Sequence, residues 1–191
     1  MEKEVIDLGL CARCGICSGV CPVDVISHNA RGYPELTGEC IQCGRCVDTC
    51  PGADVDFPAL SRELFGKEYD PDSTWGEQRR VVVGHPSDDT VRKNGASGGL
   101  TTALLLYLLK TGKIEGAGVV GMDPEYPSRP KAILATTEEE LRAAAKSKYT
   151  IVPSMEVLSE MRKRKGPFAV VALPCQIHGL RKMVKTDPAL A

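Results

Sequence analysis

One cysteine pattern is written twice in the first fifty-one residues. Cys11, Cys14, Cys17, Cys21 and Pro22 spell C-x-x-C-x-x-C-x-x-x-C-P, and Cys40, Cys43, Cys46, Cys50 and Pro51 spell it again 29 positions later. Thiols three residues apart point at a common centre. A triple C-x-x-C-x-x-C closed by C-P is the spacing of cubane ligands, so the chain is expected to hold two 4Fe-4S clusters. In two-cluster ferredoxins the fourth cysteine of each motif ligates the other cluster. Cluster one would then take Cys11, Cys14, Cys17 and Cys50, and cluster two Cys40, Cys43, Cys46 and Cys21. Zinc ribbons instead favour paired knuckles separated by a longer loop. Gly15 and Gly44 follow the second cysteine of each motif, where bulk would crowd a cluster.

Composition narrows the setting. The chain has 191 residues, 42% of them hydrophobic, and a formal net charge of -1, so no nucleic acid or other polyanion is implied as a partner. Eight thiolates and two oxidised cluster cores would take the charge to roughly -5. A ferredoxin unit of about sixty residues buries little core, and metal clusters commonly supply the missing stability. Reduced thiols point to a cytoplasmic location. The opening Met-Glu-Lys-Glu-Val-Ile-Asp lacks the basic and apolar regions of a secretion signal. The longest apolar run, 100–109, is broken by Thr101 and Thr102 and closed by Lys110. It falls far short of the roughly twenty residues of a membrane span.

Three segments follow from the pattern: a ferredoxin unit at 1–57, a connector at 58–79 and an alternating β/α stretch at 80–191. The connector is punctuated by Pro58, Gly66, Asp70, Pro71 and Gly76, with one short helix near 59–65 and Trp75 as a packing anchor. Strands are expected at 80–84 (RVVVG), 116–122, 131–135 and 168–173. Helices are expected at 97–110, 137–145, 154–165 and 176–182, the first buried and capped by Ser97, the third capped by Ser154. Such alternation predicts a largely parallel sheet. The end, Lys185-Thr-Asp-Pro-Ala-Leu-Ala, supplies no closing strand. This predicts a fragment or a subunit that needs a partner.

Outside the cysteine motifs several groups carry chemistry. Asn94-Gly-Ala-Ser-Gly-Gly99 precedes a helix, and open N–H groups at a helix N-terminus suit a phosphate; a plain capped turn is the alternative. Gly116-Ala-Gly-Val-Val-Gly121 matches G-x-G-x-x-G, but a helix precedes it and prolines follow it. A dinucleotide fingerprint needs a strand before it and a helix after it, so this match reads as a glycine-rich strand. Lys146 and Lys148 could neutralise a cofactor phosphate or stand in solvent. Cys175 lies in Leu173-Pro-Cys-Gln176 at a strand-to-helix junction. Ligands gather at that edge of an α/β sheet, and a helix N-terminus favours thiolate; a small buried side chain is the alternative. His85 is a candidate cofactor contact, His178 a structural residue, and His28 has no evident role.

Taken together, Asn94 to Ala103, Ala145-Lys-Ser-Lys-Tyr149, Leu173-Pro-Cys-Gln-Ile177 and Gly179-Leu-Arg-Lys182 resemble the beta subunit of coenzyme F420 hydrogenases and dehydrogenases, a family that commonly carries an N-terminal dicluster ferredoxin. The resemblance implies an α+β chain, in which a bacterial-type dicluster ferredoxin precedes an incomplete α/β flavin-binding domain. It implies FAD beside the two clusters, with Ser97, Gly98 and Gly99 on the flavin phosphate and Lys146, Ser147 and Lys148 along the flavin. Pro174 and Gln176 would lie near the isoalloxazine ring, with Cys175 as the catalytic candidate. Hydrogenase, formate dehydrogenase or other redox subunits are the implied partners, and coenzyme F420 or a similar hydride carrier the reactant. The expected activity is an iron–sulfur flavin oxidoreductase, in which flavin splits a hydride pair into single electrons for the clusters. The competing expectation is a ferredoxin-like carrier that docks a larger enzyme and binds no flavin of its own.

Overall fold

The computed structural model describes residues 2–186. The expectation about the chain's end falls mostly on 187–191, outside the described residues.

The doubled motif folds as a doubled structure. A π-helical turn, Glu2–Ile6, precedes it. Helix α1, Ile16–Gly19, and helix α2, Arg45–Asp48, each begin after a left-handed glycine, Gly15 at φ 84° and Gly44 at φ 79°. Arg13 and Gln42 both have φ 53°. The hydrogen bonds also repeat at an offset of 29. Val20 N donates to Ile16 O as Thr49 N does to Arg45 O, and Cys21 N donates to Ser18 O as Cys50 N does to Val47 O. Identical spacing has produced identical backbone, down to the turn that aims each thiol. Between the copies lies an antiparallel hairpin, β1 (Ile26–His28) and β2 (Pro34–Leu36), absent from the sequence reading. Its turn is held by Asn29, whose Oδ1 accepts from the N–H groups of Arg31 and Tyr33.

Helix α3, Phe57–Phe65, opens on Asp56, whose Oδ1 accepts from Ala59 N, and closes at left-handed Gly66. Past it the connector departs from expectation. Trp75 is exposed and anchors nothing. Residues 80–84 form no strand, and Val81, Val82 and Val83 all face solvent. Three β-branched residues favour an extended backbone, but a strand exists only where a neighbour accepts its hydrogen bonds. Among the described residues none pairs with this segment.

The remainder is a three-stranded sheet clasped by short helices. Helix α4, Asp89–Asn94, is capped by Asp88. Helix α5, Leu100–Lys110, follows, then β3 (Gly116–Met122), β4 (Pro130–Ala135) and α6 (Glu138–Ala143). A 3-10 turn, Ser154–Val157, runs into α7, Leu158–Met161, and β5 (Phe168–Val170) and α8 (Pro174–Thr186) complete the fold. The strand order is β4-β3-β5. β3 pairs parallel with β5, but antiparallel with β4 from Ala117↔Ala135 to Met122↔Pro130. The sheet is therefore mixed rather than largely parallel. Residues 123–129 are too few for a crossover, so β4 can only fold back as a hairpin partner.

Three helix expectations also shift. The α5 cap is Gly99 at φ 79°, not Ser97, which sits in the preceding turn. A Cβ at Gly99 would lie 2.4 Å from the Val91 carbonyl oxygen, so the chain turns into α5 where only glycine fits. Helix α5 is only half-buried: Leu105 and Leu106 face the core, while Leu100, Leu104 and Tyr107 are exposed. Ser154 opens the 3-10 turn rather than capping a long helix. The glycine-rich strand does fold as β3, with no dinucleotide turn after it. Its glycines make room: a Cβ at Gly118 would lie 2.8 Å from Met161 Cε.

Two cores result. One joins α4, α5, β3 and α6 through Val91, Leu105, Leu106, Ile114, Val119 and Leu141. The other joins the ferredoxin to the sheet segment, packing Cys14, Ile16 and Val20 against Met155, Leu158, Met161 and Met183. Ile16 and Met155 are among the most deeply buried side chains. Met155 N donates to the Cys14 carbonyl at 3.0 Å, stitching the two segments at the backbone. Among the described residues no helix is long and apolar enough to cross a membrane.

Candidate functional site

The eight motif cysteines differ in depth. Cys14, Cys17, Cys21 and Cys50 are buried, Cys11 and Cys46 intermediate, Cys40 and Cys43 exposed. Burial pushes the Cys17 thiol up to about 12, with Cys14, Cys50 and Cys11 adding to the effect against the Ser18 N–H. Burial likewise takes Cys14 to about 11; the Ile16 N–H opposes it, and Cys175, Cys50 and Cys11 add to it. Burial, then Cys43, raises Cys46. Cys50 thus stands within electrostatic reach of Cys14 and Cys17. Gln42 N donates to Cys40 Sγ at 3.4 Å.

Among the described residues, no group of three or more His, Cys, Asp or Glu side chains converges on a single-ion centre. A cubane asks for something different, since its four cysteines bind four separate irons. Four soft thiol donors in each set are the ligands such a cluster takes. Thiols raised by burial are neutral until metal displaces their protons, so loading and deprotonation are coupled.

Beside the inner thiols lies a cavity of about 500 Å³. Its wall brings together Ser97 and Gly99 before α5, Lys146, Ser147 and Lys148 after α6, and Cys175 and Gln176 at the start of α8. Gly98 and Pro174 are not on that wall. The sequence reading missed Ala12 and Arg13, which carry the first cysteine loop into the same wall. Arg13 is fixed by donation to the Arg31 carbonyl and by its guanidinium lying 5.2 Å from the Tyr33 ring centre. The only signal for it was its place between Cys11 and Cys14.

Two of the expected residues spend their polar atoms on the fold. Lys148 Nζ donates to the carbonyls of Ala144, Ala145 and Lys146, tying down the end of α6. Burial lowers its pKa. Gln176 is buried; its Nε2 donates to Ser154 Oγ at 2.8 Å and its Oε1 accepts from Leu173 N. Lys146, at φ 74°, and Ser147 are exposed on the wall. His85 is exposed, with Nδ1 2.9 Å from the Pro86 carbonyl. His178 meets Phe57 edge-on at 5.0 Å, a packing contact.

A second cavity, of about 590 Å³, opens on the hairpin side. The His28 side chain on its wall is 6% exposed. Its Nδ1 lies 3.3 Å from Glu156 Oε2, within ion-pair range but misdirected for a hydrogen bond, and neither ring nitrogen has a hydrogen-bond partner.

Residues 3–55 match the family described as 4Fe-4S dicluster domain. Residues 81–159 match coenzyme F420 hydrogenase/dehydrogenase, beta subunit N-term. The chain belongs to this family of beta subunits. It is 36% identical over 186 residues to the coenzyme F420-dependent sulfite reductase of Methanocaldococcus jannaschii, covering 95% of this chain and 26% of that one. It is 38% identical over 109 residues to the coenzyme F420 hydrogenase subunit beta of Methanothermobacter thermautotrophicus, covering 56% of this chain and 38% of that one. Identity to an F(420)H(2) dehydrogenase subunit of Methanosarcina mazei is 28% over 187 residues, 93% of this chain and 49% of that one. The chain thus spans about a quarter to a half of the length of these relatives.

The two matched regions map onto the geometry. The dicluster region holds all eight motif cysteines. The beta-subunit region holds two of the three segments around the cavity beside the inner thiols, Ser97 to Gly99 and Lys146 to Lys148. The third, with Cys175 and Gln176, lies beyond it at the end of β5, where this family member's sheet and helix α8 meet.

Proposed function

We propose that this family member is an iron–sulfur flavin oxidoreductase subunit. It passes electrons between a hydride carrier of the coenzyme F420 type, FAD in the cavity lined by Arg13, Lys146 and Cys175, and two 4Fe-4S clusters. The observation that carries the reading is the shared wall: the loop between Cys11 and Cys14 lines the same cavity as the helix-start, lysine and Cys175 segments. Its volume of about 500 Å³ lies in the range of cofactor sites, roughly 300–1,000 Å³.

Each wall segment has a task this chain can perform. The N-terminus of α5, with Gly99 on the wall and lacking a side chain, presents N–H groups to a phosphate. Lys146 adds positive charge, while Lys148 shapes the wall by holding the α6 carbonyls. Gln176 fixes the start of α8, which sets Cys175 on the cavity close to Cys14. A bound flavin supplies the conversion of a hydride pair into single electrons. Cys14, Cys17 and Cys50 are buried and Cys11 partly so; this set stands next to the cavity and would keep water off the inner cluster. Exposed Cys40 and Cys43 bring the outer cluster to the surface, where a redox subunit of a hydrogenase or dehydrogenase can dock.

Anaerobic purification with metal, sulfide and flavin analysis tests this. The expected sample is brown, carries two clusters' worth of iron and sulfide, and contains FAD that bleaches with the reduced deazaflavin. Gly99→Val should remove the flavin and leave the cluster spectrum intact. Brown protein without flavin would leave only an electron carrier, and bleaching by NADH alone would replace the coenzyme. Zinc without sulfide would overturn the whole reading.

A further inference from the structure

Each cysteine motif ends on a backbone carbonyl gripped by a cation from the last part of the chain, beyond residue 159. Arg162 Nη2 donates to Cys21 O at 2.7 Å. Lys182 Nζ donates to Cys50 O at 2.9 Å. Cys21 and Cys50 are equivalent under the 29-residue repeat, and in the ligation pattern of two-cluster ferredoxins they are the two cysteines that cross from one motif to the other cluster. The cations are not repeats of one another: Arg162 follows α7 and Lys182 lies within α8. Two unrelated elements therefore deliver the same charge to the same atom of each copy.

Both side chains are largely buried, 17% exposed for Arg162 and 16% for Lys182. Each has one aspartate beside it. Arg162 reaches Asp24 Oδ1 at 3.2 Å, and Lys163 shares that carboxylate. Lys182 reaches Asp54 Oδ1 at 2.7 Å. Arg162 Nε is buried without a partner. A neutral donor would satisfy a carbonyl at lower desolvation cost than a buried cation. The charge needs a further reason, and the clusters offer one. Four thiolates leave a cubane net negative, and reduction adds one more negative charge. A fixed cation against a ligating cysteine therefore favours the reduced state, most strongly where water is excluded.

We propose that Arg162 and Lys182 are positioning residues that set the two cluster potentials, one each. Arg162 raises the reduction potential of the outer cluster, held by Cys21, Cys40, Cys43 and Cys46. Lys182 raises that of the inner cluster, held by Cys11, Cys14, Cys17 and Cys50. The inference rests on the cluster part of the proposed function and not on its flavin part.

Anaerobic redox titration of the full, cluster-loaded chain, followed by EPR, tests it. The outer cluster's signal is identified as the one altered in Cys43→Ser. Arg162→Gln should move the outer midpoint to a more negative value and leave the inner one in place. Lys182→Met should do the same to the inner cluster alone. Asp54→Asn removes the counter-charge and should move the inner midpoint the opposite way. Arg162→Lys keeps the charge and should stay near the parent value, which separates charge from lost packing. Unmoved midpoints with full iron and sulfide, or both clusters shifting together in every variant, would overturn the proposal. A sample without clusters would overturn the cluster reading beneath it.

Discussion

At the scale of single residues, Gly15 and Gly44 make a matched pair that the fold has pulled apart. Both are left-handed, and both start the short helix of their motif. A Cβ at Gly44 would meet only Asp48 Oδ2, at 3.6 Å, whereas one at Gly15 would lie 2.3 Å from the Pro153 carbonyl oxygen. Gly44→Ala should therefore cost only the left-handed strain, about 1–2 kcal/mol. Gly15→Ala should cost clearly more, read as the drop in denaturation midpoint of the loaded protein. The thiols give a pH prediction. Cys14 and Cys17 rise from an ordinary 9.0 to about 11 and about 12. Raised values favour the iron-free fold below pH 9, and that contribution fades as pH climbs through 11 to 12. Urea midpoints of iron-free protein should fall across that interval; a flat profile would mean that the two thiols are not buried. The eight motif cysteines were legible because spacing alone announces them. Arg162 and Lys182 were not, because nothing local marks a basic residue that bonds more than a hundred positions away.

At the scale of elements, legibility followed local chemistry. Helix α6 was readable from the acidic residues of its first turn, and the structure adds a reciprocal cap: Thr137 Oγ1 accepts from Glu140 N, and Glu140 Oε2 accepts from Thr137 N. The Thr136 N–H leads the interactions that hold the Glu140 carboxyl below its ordinary range. Thr137→Ala should cost about 1 kcal/mol. It should also loosen the lysine wall that follows α6, visible as faster amide exchange at 144–148. Strand β3 was readable from its apolar run, and β4 from its length and position. The valine run at 80–84 misled because propensity describes one strand while a sheet needs two. Ser97 misled because two glycines after it offered a sharper turn into α5. The β1–β2 hairpin went unread although Asn29 and Gly32 bracket a plain turn, since its strands are only three residues long.

At the scale of the molecule, composition suggested a ferredoxin, a connector and an α/β unit in series. The apolar contacts are arranged otherwise: the first cysteine motif is packed into a core built from 155–183. Only long-range contacts reveal this, and a single sequence does not display them. Met155→Ala, at a side chain with no exposure, should destabilise the chain by about 2–5 kcal/mol. It should also lower iron retention at the inner cluster before the outer one, measured by iron content after gel filtration. An equal loss at both would show that the core does not hold the inner thiols. Elsewhere Val81 to Val83 and the Leu100, Leu104, Tyr107 stripe leave apolar surface uncovered.

The backbone stitch from Met155 to Cys14 bears on anyone wishing to borrow this electron wire. A gene fusion taking only the first fifty-seven codons would transplant all eight motif thiols yet abandon half of their seat. A workable graft would have to carry the distant stretch around 153–183 along with it, as the second, discontinuous half of one part.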